Sequence, residues 1–211
     1  MKLNKILLIL SMSTVLLQSQ TYDIVIKNGR VMDPETGFDG VRNVGILGDR
    51  IVEISSKALS GAIVVNAKGL VVSPGFIDLH AHGQTNDAHK YQARDGVTTA
   101  LEMEGGVAFY REWIESKKGN SIVNYGGTAP HGFLRATAMD SNLKIAKKIA
   151  NKVKKDGYKE DGLLGKLFDE SLASARYKSM SQKEIVRSHD MMDIYLNAGA
   201  LGIGVPVGYY P

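Results

Sequence analysis

The chain has 211 residues, 44% hydrophobic and 23% charged, a balance that suits a folded globular protein of one good-sized domain, or one domain with a small satellite. Cysteine is absent, which excludes a disulfide framework and a thiolate metal site, so any metal must be held by His, Asp or Glu. The formal charge is +4, and no dense basic patch with interleaved aromatic residues accompanies it, so no nucleic-acid partner is indicated.

Lys2 and Lys5 precede an uncharged run, ILLILSMSTVLL, at residues 6–17. A membrane span needs about 20 residues. This shorter run suits the apolar core of a secretory signal, with a cut near Gln20–Thr21 that lacks the usual Ala-x-Ala. Residues 1–20 are therefore expected to be a signal peptide, and the protein secreted or periplasmic, with no other membrane association. An uncleaved N-terminal anchor is the alternative. Removing this segment takes away two lysines and no acid, lowering the charge from +4 to +2.

Residues 21–73 read as a small all-β unit. The stretch YDIVIKNGRVMDP alternates and breaks at Asp33-Pro34, NVGILGDRIVEIS flanks a Gly48-Asp49 hairpin signal, and AIVVNAKGLVV turns at Lys68-Gly69. From Pro74 to Pro211 the rhythm becomes strand, loop, helix. Strands are expected in GFIDLHAH (75–82), GVTTALEMEGG (96–106), NSIVNYGG (120–127) and GALGIGVPVG (199–208). Helices are expected at 109–118, at 141–155 with apolar residues at helical spacing, and at 181–198, where Ser181-x-x-Glu184 forms a capping box and Gly199 a stop. The lysines at 147, 148, 152, 154 and 155 read as a solvated helix face. Strands alternating with helices imply a parallel sheet, doubly wound or closed into a barrel. A complete eight-unit barrel takes about 250 residues, so this stretch would hold only the first half of one.

Side chains alternate along a strand. Phe76, Asp78, His80 and His82 then share one face, and Ile77, Leu79 and Ala81 the other, which a helix would cover. Two imidazoles and a carboxylate on one face need hydrogen bonds or a metal. Histidines two apart at a strand end can chelate one ion, although an isolated His-x-His is common and usually carries no function. On the next strand Thr98, Ala100, Glu102 and Glu104 share a face. Glu104 is expected at the rim, where it can complete or bridge a metal site. Glu102, one layer deeper, reads as a hydrogen-bonding residue, but which of the two carboxylates is the ligand stays open. His131, in TAPHGFLR just past the third strand, is a candidate substrate contact or a plain surface loop residue. His89 reads the same way, more weakly, and His189 as part of its helix. GALGIGVPVG does not match a phosphate-binding glycine loop.

The stretch GLVVSPGFIDLHAHG resembles the first barrel strand of the amidohydrolase superfamily, with its metal motif at His80 and His82. DGVTTALEMEGGV, IVNYGGTAPHG and AGALGIGVPVGYYP resemble the branch of N-acyl-D-amino-acid and D-glutamate deacylases, and the resemblance runs from about Tyr22 to the end. It implies an α/β chain: an incomplete (β/α)8 TIM barrel of about four βα units, preceded by part of a small β-sandwich, binding one or two divalent ions, usually Zn2+. Many members bridge two metals with a carboxylated lysine on the fourth strand, and the deacylase branch can use a cysteine on the second. Neither is present, so the resemblance assigns the bridging position to Glu104. The remaining metal ligands, and the aspartate expected as general acid or base, fall on strands beyond Pro211, so no catalytic residue is named and the chain is expected to be truncated and inactive alone.

The activity implied is metal-dependent hydrolysis of a non-peptide C–N bond, most directly deacylation of an N-acyl-D-amino acid. Two rivals stand beside it. One is a non-catalytic metal- or ligand-binding half-barrel, which pairing in a homo-oligomer would complete. The other is a cyclic amidase of the dihydroorotase or hydantoinase type.

Overall fold

The computed structural model describes residues 21–159, 175 and 177–208; the segment expected to be a signal peptide lies outside them. The chain divides between Pro74 and Gly75 into two compact units.

The first unit is a five-stranded sheet. Strands β1 (Thr21–Asp33), β2 (Phe38–Leu47), β3 (Arg50–Ser55) and β4 (Ser60–Asn66) lie in the order β3-β2-β1-β4, and β5 (Val71–Val72) also pairs with β1. β1–β2 and β2–β3 are antiparallel, whereas β4 and β5 run parallel to β1. The β2–β3 hairpin closes with Leu47 opposite Arg50, and Gly48 at φ 58° supplies the left-handed turn residue foreseen at Gly48-Asp49. Asp33 ends β1 by accepting from the Glu35 backbone N–H and the Thr36 hydroxyl. Tyr22, Val25, Val31, Val44 and Ala67 form the buried side, while Ile51, Ile54, Ile63 and Val65 remain exposed.

The second unit is mixed α/β. Strands β6 (Phe76–Asp78), β7 (Val97–Glu102) and β8 (Asn124–Gly127) are parallel neighbours in that order. β9 (Ala129–Pro130) pairs in parallel with β10 (Ile203–Gly204), and Leu201 N–H donates to the Gly127 carbonyl, carrying the pairing on from β8. Helix α1 (Asn86–Arg94) joins β6 to β7 and α2 (Tyr110–Lys117) joins β7 to β8. Helices α3 (His131–Ala138), α4 (Leu143–Asp156) and α5 (Gln182–Asn197) lie between β9 and β10. The described strands do not close into a barrel.

Three of these helices follow their sequence signals. α5 has its capping box, with the Ser181 hydroxyl accepting from Glu184 N–H and the Glu184 carboxylate reaching back to Ser181 N–H. α4 buries Ile149 and Val153 and turns Lys147, Lys148, Lys154 and Lys155 to solvent, the solvated face read from the sequence. α2 buries Tyr110 and Trp113 against Val107 and Tyr125. Removing a buried aromatic of this kind costs about 3–5 kcal/mol.

The structure corrects the sequence reading at several points. α1 and α3 were not foreseen. α1 is capped by the Thr85 hydroxyl, which accepts from Ala88 N–H at 3.0 Å. The first strand of this unit is three residues long rather than eight, and of the set expected beneath a helix only Ala81 is buried. Phe76, Ile77 and Leu79 are 63%, 64% and 59% exposed, because β6 lies at the sheet edge with β7 as its one described partner. The strand expected across residues 199–208 is likewise two residues long.

Candidate metal centre

β6 ends at Asp78, and the chain then leaves the ladder. The Asp78 carboxylate accepts from His80 N–H at 2.9 Å, and His80 forms an isolated bridge with Glu102. Beyond it, Ala81 N–H still donates to the Leu101 carbonyl, and Ala81 packs with Ala100 and Val123 against Ala93 of α1. With Ala81 so anchored, the residues on either side of it project together. The two imidazole rings lie edge to face, centroids 4.5 Å apart, with Nε2 atoms 2.8 Å from each other.

β7 ends at Glu102, and the chain bends through Met103 to Gly106. The bend brings Glu104 Oε2 to 3.0 Å from His80 Nε2 and 3.3 Å from His82 Nε2. The bend depends on close backbone approach. A Cβ on Gly204 of β10 would lie 2.6 Å from the Glu104 carbonyl oxygen, and one on Gly106, at φ 74°, would lie 2.6 Å from the Thr128 carbonyl.

Glu102 is not one of the three clustered donors. Its buried carboxylate lies behind His82, with Oε2 2.8 Å from His82 Nδ1, and its Oε1 accepts from the backbone N–H groups of Glu104 (3.2 Å) and Gly105 (3.0 Å). A carboxylate already accepting two N–H bonds takes the His82 Nδ1 proton as donor. A neutral ring with its proton on Nδ1 carries its lone pair on Nε2, the atom facing His80 and Glu104. A carboxylate orienting an imidazole from behind is the arrangement that supports metal-ligating histidines.

The donor set fits a divalent cation. His80 Nε2, His82 Nε2 and Glu104 Oε2 form a triangle with edges of 2.8, 3.0 and 3.3 Å. Tetrahedral zinc, with bonds of about 2.0–2.1 Å, places its donors about 3.3 Å apart. Two borderline imidazole nitrogens with one hard carboxylate oxygen are a donor set that suits zinc, and three protein donors would leave a fourth position open. The side of the site is open to solvent, with the His80 and His82 side chains 62% and 64% exposed.

The other histidines lie elsewhere. His131 is the first residue of α3 rather than a loop residue; its Nδ1 is buried without a described partner, and burial, then Arg135, push its pKa down. It does not join the three-residue cluster. His89, read as a surface loop residue, is wholly buried on α1, with Nδ1 2.8 Å from the Ser121 hydroxyl. Burial, helped by the nearby Lys117, lowers its pKa to about 4. His189 is exposed on α5. A cavity of about 550 Å³ among α2, α3, α4 and α5, lined by Phe109, Phe133, Leu143, Met191 and Ile194, includes none of the three donors.

No family model matches the chain. Among curated proteins it is similar to the dihydroorotase of Streptococcus pneumoniae serotype 4, 43% identical over 90 residues that cover 38% of this chain and 21% of that protein. A dihydroorotase of Streptococcus pyogenes serotype M3 is 46% identical over the same extent. The chain thus matches about a fifth of the length of these curated relatives. Among solved structures it is similar to N-acyl-D-glutamate deacylase from Bordetella bronchiseptica, determined with zinc and a phosphonate mimic of the tetrahedral intermediate. That likeness has a TM-score of 0.65 and 18% identity, and covers 91% of this chain and 40% of that one. It is also similar to D-aminoacylase, described with a binuclear metal centre, at a TM-score of 0.63 and 22% identity over 90% of this chain and 39% of that one. At these identities the solved structures establish the fold.

Proposed function

We propose, from this kinship with the amidohydrolase superfamily, that the chain supplies the metal side of a hydrolase acting on non-peptide C–N bonds, with His80, His82 and Glu104 as ligands. The observation that carries the reading is the convergence of three donor atoms, one of them on a ring whose tautomer is set from behind by Glu102. The described strands of the second unit are, in this reading, successive strands of a (β/α)8 barrel, and the sheet of the first unit is part of the accompanying β-sandwich.

A bound divalent cation would polarise an amide carbonyl and bring the pKa of water towards about 7. The chain's own residues do the rest of the work visible here. His82 presents an unprotonated Nε2 because Glu102 holds the proton on Nδ1. Glu104 supplies the negative charge that makes the site bind a dication rather than water alone. Its backbone N–H donates to the Glu102 carboxylate at 3.2 Å, which ties the main chain at Glu104 to the residue behind His82.

The substrate class proposed is an N-acyl-D-amino acid, supported by the extent of fold shared with the deacylase and the D-aminoacylase. A cyclic amide is the second reading, favoured by the 43% identity to dihydroorotase over 90 residues. Titrating the full chain with Zn2+ by calorimetry, then assaying N-acetyl-D-glutamate against dihydroorotate, tests both levels. One ion bound, with the binding lost in His80→Ala, supports the centre, and no heat of binding refutes it. On its own the chain is expected to turn over neither substrate; turnover of one of them would decide the class and overturn that expectation. Export by residues 1–20 belongs to the same proposal and is tested by N-terminal sequencing of the protein recovered outside the cytoplasm.

A further inference from the structure

The His82 main chain lies past the end of β6, yet both of its flanking peptide planes are held. The Ala81 carbonyl accepts from Gln84 Nε2, and the His82 carbonyl accepts from Gln92 Nε2 at 2.9 Å. Those carbonyls belong to the peptide units on either side of the His82 Cα. Fixing both planes fixes its φ and ψ, and so the direction in which its ring leaves the backbone. Gln84 is itself held: its carbonyl accepts from Trp113 Nε1 at 3.2 Å and from the Lys117 ammonium, both on α2 and both buried. Gln92 stands on α1.

The two amides share an unusual cost. Gln84 Oε1 and Gln92 Oε1 are buried with no hydrogen-bond partner among the described residues. An orphaned buried acceptor costs about 1–3 kcal/mol. Turning either amide over would set its oxygen against a backbone carbonyl, which is worse. Each glutamine is therefore used for its N–H group alone.

We propose that Gln84 and Gln92 are positioning residues for the metal centre, clamping the peptide units on both sides of His82, and that Trp113 and Lys117 extend the clamp to α2. The proposal rests on the metal-centre reading above. His82 is then fixed three times: by Gln84, by Gln92, and at its ring by Glu102.

The test is a Co2+ titration of the full chain, following the visible d–d absorption, in the wild type, Gln84→Met, Gln92→Met and Gln92→Lys. The methionine variants keep the length of the side chain and lose the donor, whereas lysine restores one. The expected result is Co2+ affinity at least about tenfold weaker in both methionine variants, the loss typical of partners behind a metal ligand. Their d–d spectrum changes, and Gln92→Lys recovers affinity. The urea midpoint of Gln92→Met separates this from general destabilisation, and that variant decides the matter if Gln84→Met fails to fold. Wild-type affinity and spectrum in a folded Gln92→Met overturn the clamp and leave the metal centre standing. Failure of the wild type itself to bind Co2+ overturns both.

Discussion

Glu102 and His82 are joined by a 2.8 Å contact between Oε2 and Nδ1, with the carboxylate buried and the imidazole open to solvent on its other side. The buried partner thus sets which nitrogen of the exposed ring is free to ligate. Glu102→Gln tests this directly. A carboxamide has one acceptor, so it can serve the Glu104 and Gly105 N–H groups or His82, but not all three. If its NH2 group faces His82, the ring proton moves to Nε2 and the ligand is lost. Calorimetric titration with Zn2+ is expected to show affinity about 10- to 100-fold lower than in the wild type. Unchanged affinity would mean that the contact does not set the tautomer.

Gly204 lies across from the Glu104 carbonyl, and a methyl group there would meet that oxygen at 2.6 Å and the Thr128 hydroxyl at 2.3 Å. The obstacle at Glu104 is backbone, which cannot rotate aside. Gly204→Ala should push the Glu104 turn outward, weakening Zn2+ binding at least tenfold and destabilising the fold by about 1–3 kcal/mol. Gly208→Ala, with nothing within 4 Å of its added methyl group, is the control expected to leave both unchanged.

His89 gives the fold a pH dependence of its own. The Ser121 hydroxyl donates to the Val123 carbonyl, so it accepts the His89 Nδ1 proton, and the folded chain holds the ring neutral. Its pKa is depressed to about 4 from an ordinary 6.5, through burial and then Lys117. Between these values the unfolded chain binds a proton that the folded chain does not. The contribution is therefore complete above about pH 6.5 and is lost as pH falls towards 4. At about 1.4 kcal/mol per unit this amounts to a few kcal/mol. Urea midpoints measured from pH 7 to pH 4 should fall steeply in the wild type and less so in His89→Leu.

The Tyr195 hydroxyl of α5 accepts from the Phe109 backbone N–H at 2.8 Å. Phe109 precedes α2 in the left-handed region at φ 50°, a costly conformation for a residue with a side chain. Tyr195→Phe removes the acceptor and leaves that N–H without it, for about 1–3 kcal/mol. Chemical denaturation should record a loss of that size. A change below a few tenths would show that water replaces the hydroxyl.

What was legible in the sequence follows from how local each cause is. The Gly48-Asp49 hairpin and the Ser181–Glu184 capping box need only neighbouring residues, and both stand where the sequence puts them. His80 and His82 were legible as a pair because same-side spacing around one anchored residue survives even where the strand ends. Alternation failed further along. It put Ala100 and Glu104 on one face, but Ala100 packs against α1 and Glu104 reaches the rings through a bend outside β7. Spacing alone could not tell which of Glu102 and Glu104 would face both rings, because that depends on the bend. α1 was missed for want of an apolar stripe: its one fully buried residue is a histidine. Thr85 as cap, Asp87 in the first turn and Arg94 in the last were the signals available. α3 was hidden for the opposite reason. Most of it is buried, from Gly132 to Ala138, so no polar face marks its period.

Among the described residues β6 has one neighbour, so the strand that leads to both imidazoles is the border of the sheet those residues form. A segment pairing along that border would satisfy its free backbone groups and, through its own side chains, narrow the access of water to the strand and to the rings just beyond. Charge at the ion would then be felt through a drier, less polarisable medium, where the same ligands exert a stronger field. Under the proposed function, a strand added at that border would therefore bear on the electrostatics of the centre as well as on the sheet.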